Sequence, residues 1–142
     1  MQFFGVHRLA LDEKNRMRIP NKFRAKLNDN YIICGGTGGC LFVLGEEEFN
    51  SLFTDKLNEL KLNDEEKQEA LRGLASTMQV PEEDAQGRFV LQGNLKSYAN
   101  INKKVVFVGV LNRIEIWAEE VYEAKWGQNR PDINAVVKLL GV

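Results

Sequence analysis

The sequence predicts an α+β fold, mainly β, in which two copies of one module form a pseudo-twofold barrel with peripheral helices. Three observations predict it. First, one segment recurs: Asp12-Glu13-Lys14-Asn15-Arg16 is answered by Asp84-Ala85-Gln86-Gly87-Arg88, an offset of 72 residues. Second, each copy reads as short strands rich in β-branched and aromatic residues, punctuated by turns and followed by a helix. Third, each copy is only about 50 residues before its linker, too small to bury a core alone. The two copies are therefore expected to share one barrel, leaving strand edges for neighbouring subunits.

The same offset carries Ile19 to Leu91, Phe23 to Leu95 and Leu27 to Ala99. Extended without a gap, it carries Ile33 and Cys34 to Val105 and Val106, Phe42 to Ile114, Leu44 to Ile116, Glu48 to Glu120 and Phe49 to Val121. Two copies make a duplicated module, not a solenoid. The expected organisation is a first repeat over residues 1–62, a linking helix over 63–77, a second repeat over 78–127 and a C-terminal helix over 128–142.

Each repeat opens with a strand, Val6–Leu11 or the neighbourhood of Met78–Val80. A tight turn then leads to a second strand, Arg16–Ile19 or Arg88–Leu91, so that each pair reads as a hairpin. A short helix follows. Pro20 stands at its start in the first repeat, where a missing N–H costs least, and Phe23 and Leu27 share its inward face. In the second repeat Asn94 is the expected N-cap, with Leu95 and either Ala99 or Tyr98 facing inward. Two more strands follow, Tyr31–Cys34 with Cys40–Leu44 and Val105–Val110 with Arg113–Trp117, the second pair closed by Leu111-Asn112. A helix then starts near Glu46–Phe49, whose early acids suit a helix N-terminus. The linking helix runs from Asn63 or Asp64 to about Thr77, with Ala70, Leu71 and Leu74 at helical spacing. After Arg130-Pro131, Asp132–Leu140 reads as helical.

Bulk properties exclude several classes. Of 142 residues, 44% are apolar and 27% charged, ordinary for a globular protein. No run approaches the roughly 20 apolar residues of a membrane span. The opening Met1-Gln2-Phe3-Phe4-Gly5 lacks the layout of a signal peptide, so a cytoplasmic address is expected. Cys34, Cys40 and His7 are too few for a disulfide framework or a local zinc set; no metal and no cofactor are expected. Net charge is −1, but its distribution is uneven. From Met1 to Leu27 seven basic residues face two acidic ones, a local charge of +5. That is the electrostatic minimum for phosphate binding, although a solvated surface has the same composition.

The turn concentrates the chemistry. Asn15 in one copy matches Gly87 in the other, the two residue types that best tolerate positive φ. Both copies thus demand a left-handed residue just before Arg16 or Arg88. Asp12 and Asp84 are poor ligands for phosphate. Each is suited instead to accept hydrogen bonds from turn N–H groups or from its arginine, and an arginine held that way loses less freedom on binding. An Asp–Arg pair that merely staples its turn is the alternative.

Phe4-Gly5, then Leu11-Asp12-x-Lys14-x-Arg16-x-x-Ile19-Pro20-x-Lys22-Phe23-Arg24, resembles the opening of MraZ proteins. Cys40-Leu41-Phe42 with Glu48-Phe49, Asp84-x-x-Gly87-Arg88, and Gly109-Val110-Leu111-Asn112-Arg113-Ile114-Glu115-Ile116-Trp117 are similar to the rest of that family. The resemblance implies two AbrB-like swapped-hairpin units in one barrel. It also implies a homo-oligomeric ring and binding to short direct repeats of double-stranded DNA upstream of the division and cell-wall gene cluster. Repression there, including of the chain's own promoter, is implied, with a nucleoid-associated address. The family's functional positions fall on Asp12, Arg16, Asp84 and Arg88. Asn15 departs from the usual glycine, and Gln92 stands where symmetry with Pro20 predicts proline. From Glu82 to Lys104 the local charge is only +1, so the second copy is expected to contact DNA less and to serve more in assembly.

The DNA-binding set is accordingly Arg8, Asp12, Lys14, Asn15, Arg16, Arg18, Asp84 and Arg88. Arg16 suits base contact, since arginine reads guanine O6 and N7 bidentately. Lys14, Arg8 and Arg18 suit phosphates, and Arg18 alternatively suits a neighbouring subunit. Three rivals stand beside this assignment. Gly35-Gly36-Thr37-Gly38-Gly39 suggests a phosphate loop, but it lacks the Gly-Lys-Ser/Thr ending and lies between strands, where a hairpin turn is expected. Cys34 and Cys40 suit packing better than nucleophilic attack, and His7 has no matching nucleophile; no enzyme is expected. An AbrB-type antitoxin usually carries one module, not two. A purely structural ring would use Trp117, Tyr122 and Trp126 as interface anchors, although core packing is their commoner fate.

Overall fold

The computed structural model describes residues 2–61 and 63–142. Met1 of the opening segment and Leu62, the last residue assigned to the first repeat, lie outside the described residues. Along the chain, β1 (Phe3–Ala10) and β2 (Arg16–Arg18) lead to α1 (Asn21–Arg24) and β3 (Ile32–Gly35). A 3-10 turn (Thr37–Gly39) joins β3 to β4 (Leu41–Leu44). Then α2 (Glu46–Phe49) passes through a π turn (Asn50–Thr54) into α3 (Asp55–Asn58), and α4 (Glu65–Thr77) follows. The second half comprises β5 (Arg88–Val90), α5 (Gly93–Tyr98), β6 (Lys104–Leu111) and β7 (Ile114–Ala118). It ends with α6 (Glu119–Tyr122), a second π turn (Glu123–Gly127) and α7 (Ile133–Leu139).

The architecture is α+β, mainly sheet. A five-stranded antiparallel sheet has the order β1-β6-β7-β4-β3, and β2 with β5 forms a separate two-stranded ribbon. The adjacent pairs β3 with β4 and β6 with β7 form as expected, but the hairpin expected of each repeat's first two strands does not. β1 pairs with β6, from Phe3 opposite Leu111 to Ala10 opposite Lys104, and β2 pairs with β5. The reason lies in the lengths: a three-residue β2 cannot satisfy the backbone groups of an eight-residue β1, whereas β6 matches it residue for residue. Where β1 crosses β6, Gly109 lies so close that a Cβ there would run into the Phe3–Phe4 backbone. The expected first strand of the second repeat is also absent. Only Gln79 bridges to Ile33, and Pro81, with no N–H, cannot extend a ladder. The exchange is nonetheless reciprocal: each repeat's opening segment pairs with the third strand of the other.

Repeat-related residues fill one core. Ile19 and Leu91, Phe23 and Leu95, Leu27 and Ala99 are all buried, as their offset of 72 predicts. Phe23 meets Phe3 edge to face at 6.1 Å and the His7 ring at 4.9 Å, which makes His7 a packing residue. Burying each large apolar side chain contributes about 1.5–3 kcal/mol. Further along, the ungapped register fails. Leu41 and Val43 face the core in the first repeat, Ile114 and Ile116 in the second, so the offset there is 73. Phe42, matched to Ile114 by the ungapped register, lies on the opposite face of the sheet with Cys40, Trp117 and Trp126. Helices α2 and α6, each running into a π turn, keep the offset of 73.

Several local expectations are met. Pro20 stands just before α1, at its N-cap position and without a side-chain capping bond, Asp64 caps α4 by accepting from the Lys67 N–H at 3.1 Å, and Asp132 caps α7. Asn94 is not a cap: α5 starts at Gly93 with Gln92 before it, and the Asn94 side chain accepts from its neighbour's Leu95 N–H. Ala99 is buried and Tyr98 half exposed, the Tyr98 hydroxyl donating to the Gly36 carbonyl. That contact and the Gly36 N–H bond to the Cys40 carbonyl at 2.8 Å hold the glycine-rich segment as a turn between β3 and β4. No helix among the described residues is long and apolar enough to cross a membrane.

Candidate nucleic-acid interface

Two turns with one wiring diagram define the site. In the first, the Asp12 N–H donates to the Arg16 carbonyl at 3.0 Å and the Asn15 N–H to the Asp12 carbonyl at 3.0 Å. Asp12 Oδ1 accepts from the N–H groups of Lys14 and Arg16, each at 2.9 Å. Asp12 Oδ2 accepts from Arg16 Nε at 2.7 Å. In the second turn Asp84 Oδ1 accepts from the N–H groups of Gln86 and Arg88 at 2.9 Å, and Oδ2 accepts from Arg88 Nε at 2.8 Å. The residue before each arginine has positive φ, 58° at Asn15 and 80° at Gly87, as the paired Asn/Gly pattern requires. Each aspartate therefore shapes its turn and holds its arginine by the Nε edge, leaving the terminal nitrogens for other contacts.

Electrostatics reinforce this wiring. The backbone hydrogen bond from Arg16, with the Arg16 side-chain bond and the Lys14 N–H behind it, holds the Asp12 carboxyl below its ordinary value against a smaller opposing effect of desolvation. Asp84 is lowered in the same way, by the Arg88 N–H first and then by its guanidinium and the Gln86 N–H. Both carboxylates stay charged, and both arginines keep their partners, throughout the neutral range.

The β2–β5 ribbon brings the two turns together. Arg18 stands opposite Arg88 and Met17 opposite Phe89, so the buried Met17 and Phe89 side chains hold the ribbon down while its arginines border solvent. Arg18 Nη1 donates to the Gln86 carbonyl at 3.4 Å, and Arg16 Nη1 lies 3.9 Å from Asp84 Oδ2. The resulting open cleft of about 460 Å³ is lined by Arg8, Arg16, Arg18 and Arg88, with His7, Asp12 and Gln86. The Arg16 and Arg88 side chains are 25% and 33% exposed, half-buried at their stems and open to an outside partner. Lys14 and Asn15 sit exposed at the tip of the first turn.

Arg8 stands apart from the set. It borders the cleft, but its guanidinium is in an ion pair with Glu123 and lies over the Tyr122 ring, on the side of β1 away from the main core. Strand alternation explains this: Arg8 shares a face with Phe4 and Val6, whereas His7 and Leu9 point inward. Four neighbouring residues were not singled out by the sequence. Lys96 of α5 donates to Asn15 Oδ1 at 3.3 Å, adding a cation to the first turn. Arg24 of α1 and Tyr31 both bind Glu83, beside Asp84. Lys96 and Arg24 are separated by the same 72 residues as the turns, which is the one signal that marked them.

Cys34 and Cys40 are fully buried, and burial pushes their thiols up to about 11 and about 12, the opposite of an activated nucleophile. Trp117 is buried and packs edge to face on Trp126 at 4.7 Å, so it is a core residue of the sheet's second face.

The family described as "MraZ protein, putative antitoxin-like" matches residues 2–73 and 75–132. The transcriptional regulator MraZ of Clostridium acetobutylicum is 38% identical over 136 residues, covering 96% of this chain and 94% of the relative. That of Ligilactobacillus salivarius is 40% identical over 122 residues, covering 86% and 85%, and that of Lachnoclostridium phytofermentans is 37% identical over 131, covering 92% of each. These relatives are named as regulators and not as enzymes. The chain therefore belongs to the MraZ family of transcriptional regulators.

Proposed function

We propose that this regulator binds double-stranded DNA through its paired D-x-x-x-R turns, and that it represses the division and cell-wall gene cluster from direct repeats in its own promoter. The observation that carries the proposal is the convergence of two aspartate-held arginines, Arg16 and Arg88, on one open cleft. Arg16 is assigned to a base edge, Lys14 and Arg18 to phosphates, and Asp12, Asn15 and Asp84 to holding the turns. Arg88 joins Arg16 as a contact from the second repeat, since the ribbon sets Arg88 opposite Arg18, on the face that also carries Arg16. Arg8, already paired with Glu123, contributes its charge at the border of the cleft. A nucleoid-associated place in the cytoplasm follows from such a partner.

The protein acts as a homo-oligomeric ring. Support comes from apolar side chains that a lone chain leaves in water: Phe4 and Val6 on β1, Leu111 at the end of β6, Ile133 and Leu139 on α7, and Leu140 just after it. A second cleft of about 850 Å³, lined by Val6, Val108, Val110, Trp126 and Ile133, continues this surface, and exposed apolar surface of that kind marks interaction sites. The reciprocal pairing of the repeats supports closure of the fold as an AbrB-like swapped-hairpin barrel. A ring presents several turns at set spacing, so repeated DNA boxes engage them together, raising avidity by roughly 10² to 10⁴.

The test is fluorescence anisotropy on the chain's own upstream duplex, parent against Arg16→Ala. The expected loss is about 1–3 kcal/mol per engaged box, with relaxed base preference. Parent-like binding by Arg16→Ala would refute the assignment.

A further inference from the structure

We propose that Glu83, gripped by Arg24 and Tyr31, is a positioning residue that aims the second turn, and Arg88 with it, at DNA. The proposal rests on the DNA-binding function proposed above. Its basis is an asymmetry between two otherwise matching turns. The first turn leaves the end of β1, an eight-residue strand fully paired with β6. Its stem residue Leu11 is buried and donates its N–H to the Lys103 carbonyl at 2.7 Å. The second turn has no such strand before it. Only the Gln79 backbone bridge precedes Pro81, and five residues outside any strand, Glu82 to Gln86, then lead to Gly87.

Glu83 occupies the position that Leu11 holds in the first repeat, one residue before the aspartate. Its carboxylate accepts from Arg24 Nη2 at 3.0 Å and Nε at 3.1 Å, and from the Tyr31 hydroxyl at 2.8 Å. The Arg24 guanidinium also lies 5.1 Å from the centre of the Tyr31 ring and donates to the Leu27 carbonyl at 3.2 Å. Tyr31 is fully buried and the Arg24 and Glu83 side chains are mostly covered, so this is a rigid clamp built by the first repeat. A charged, part-buried, bidentate anchor does for the second turn what a strand does for the first. The matching contact on the other side, Lys96 to Asn15, is a single exposed bond, as expected where a strand already holds the stem.

The clamp touches no DNA in this scheme. It acts by keeping Asp84 in place, and Asp84 keeps Arg88 ordered before binding. Loss of that order adds an immobilisation cost on binding without removing any phosphate contact. The sign is diagnostic. Removing a negative charge beside DNA by itself strengthens phosphate binding, so a loss of affinity on Glu83→Gln runs against the bare charge effect.

The experiment titrates the full chain against its own upstream duplex and a scrambled duplex of equal length, at several salt concentrations. The variants are Glu83→Gln, Tyr31→Phe, Arg88→Ala and Glu83→Gln with Arg88→Ala. Glu83→Gln is expected to bind the upstream duplex about three- to tenfold more weakly, with the parent's salt slope and no loss on the scrambled duplex. Tyr31→Phe shows a smaller loss of the same kind and carries the test if Glu83→Gln fails to fold. The double variant binds no more weakly than Arg88→Ala alone. Additive losses, or tighter binding by Glu83→Gln, would overturn the positioning role while leaving the DNA-binding function standing. Parent-like binding by Arg88→Ala would instead remove the second turn from the interface, and the positioning role with it.

Discussion

Replacing Gly87 by alanine isolates what the second turn demands of its backbone. Gly87 has φ of +80°, where an L residue costs about 1–2 kcal/mol. An added Cβ would lie 3.3 Å from Arg18 Cδ and 3.5 Å from Cγ. Both belong to a flexible side chain that can withdraw by a few tenths of an ångström, so the backbone cost dominates. The expected destabilisation is therefore about 1–2 kcal/mol, a fall in Tm of about 3–8 °C for a chain of this size at constant protomer concentration. The control is Gly87→Asn. Asparagine already fills the equivalent place at φ 58° in the first turn, so this variant should lose less than half as much. Scanning calorimetry of the three proteins decides the matter. If alanine and asparagine melt together, positive φ is not the constraint, and the Asn15–Gly87 correspondence is accidental.

Three further outcomes are expected. Native protein at pH 8 should resist dithionitrobenzoate, because Cys34 and Cys40 are buried with raised thiol pKa values; release of thiolate on mixing, before denaturant is added, would contradict the packing. Asp12 and Asp84 have folded-state values depressed below the ordinary 3.8. Their contribution is thus fully present above that value and decays as pH falls below it through the folded value. Amide signals of Arg16 and Arg88 should accordingly hold steady in an acid titration down to pH 4; earlier movement would show that the aspartates do not hold the turns. A chain ending after Thr77 lacks β5 and β6, the partners of β2 and β1. It should be unfolded as a monomer by circular dichroism and gain structure only with concentration, as a second copy supplies the missing strands; a folded monomer would contradict the exchange.

What was legible in the sequence was what is local. The Asp-to-Arg turn spans five residues, and its Asn/Gly alternation reports φ directly, so its geometry could be read from one line of text. Helix starts at Pro20, Asp64 and Asp132 were legible for the same reason: a cap acts within one turn of its helix. The partners of β1 and β2 were not. Alternation tells which face a strand buries, but nothing in Phe3–Ala10 names Lys104–Leu111 as its neighbour, and adjacency pointed to the wrong hairpin. The one-residue change of offset after β3 was invisible because Phe42 and Ile114 are both apolar, although they lie on opposite faces. Glu83 escaped because Glu82-Glu83-Asp84 entered the reading as a sum of charges. Its value lies in being paired, and the pair partner is 59 residues away.

On the proposed function, the interlock lets a thinly charged second repeat serve in DNA binding. Counted alone, its +1 is a poor phosphate site beside the +5 of the first. The ladder that sets Arg18 opposite Arg88 removes that independence, since Arg88 enters the field of Arg16 and Arg18 and has no need of one of its own. The separation of the two turns is set by backbone hydrogen bonds, which surface substitutions leave untouched. Their aim is set by side chains: Leu11 and β1 for one, Glu83 with Arg24 and Tyr31 for the other. Spacing and aim are therefore separable in this fold, and on the proposed function a substitution retunes one turn toward a different base without moving its twin along the duplex.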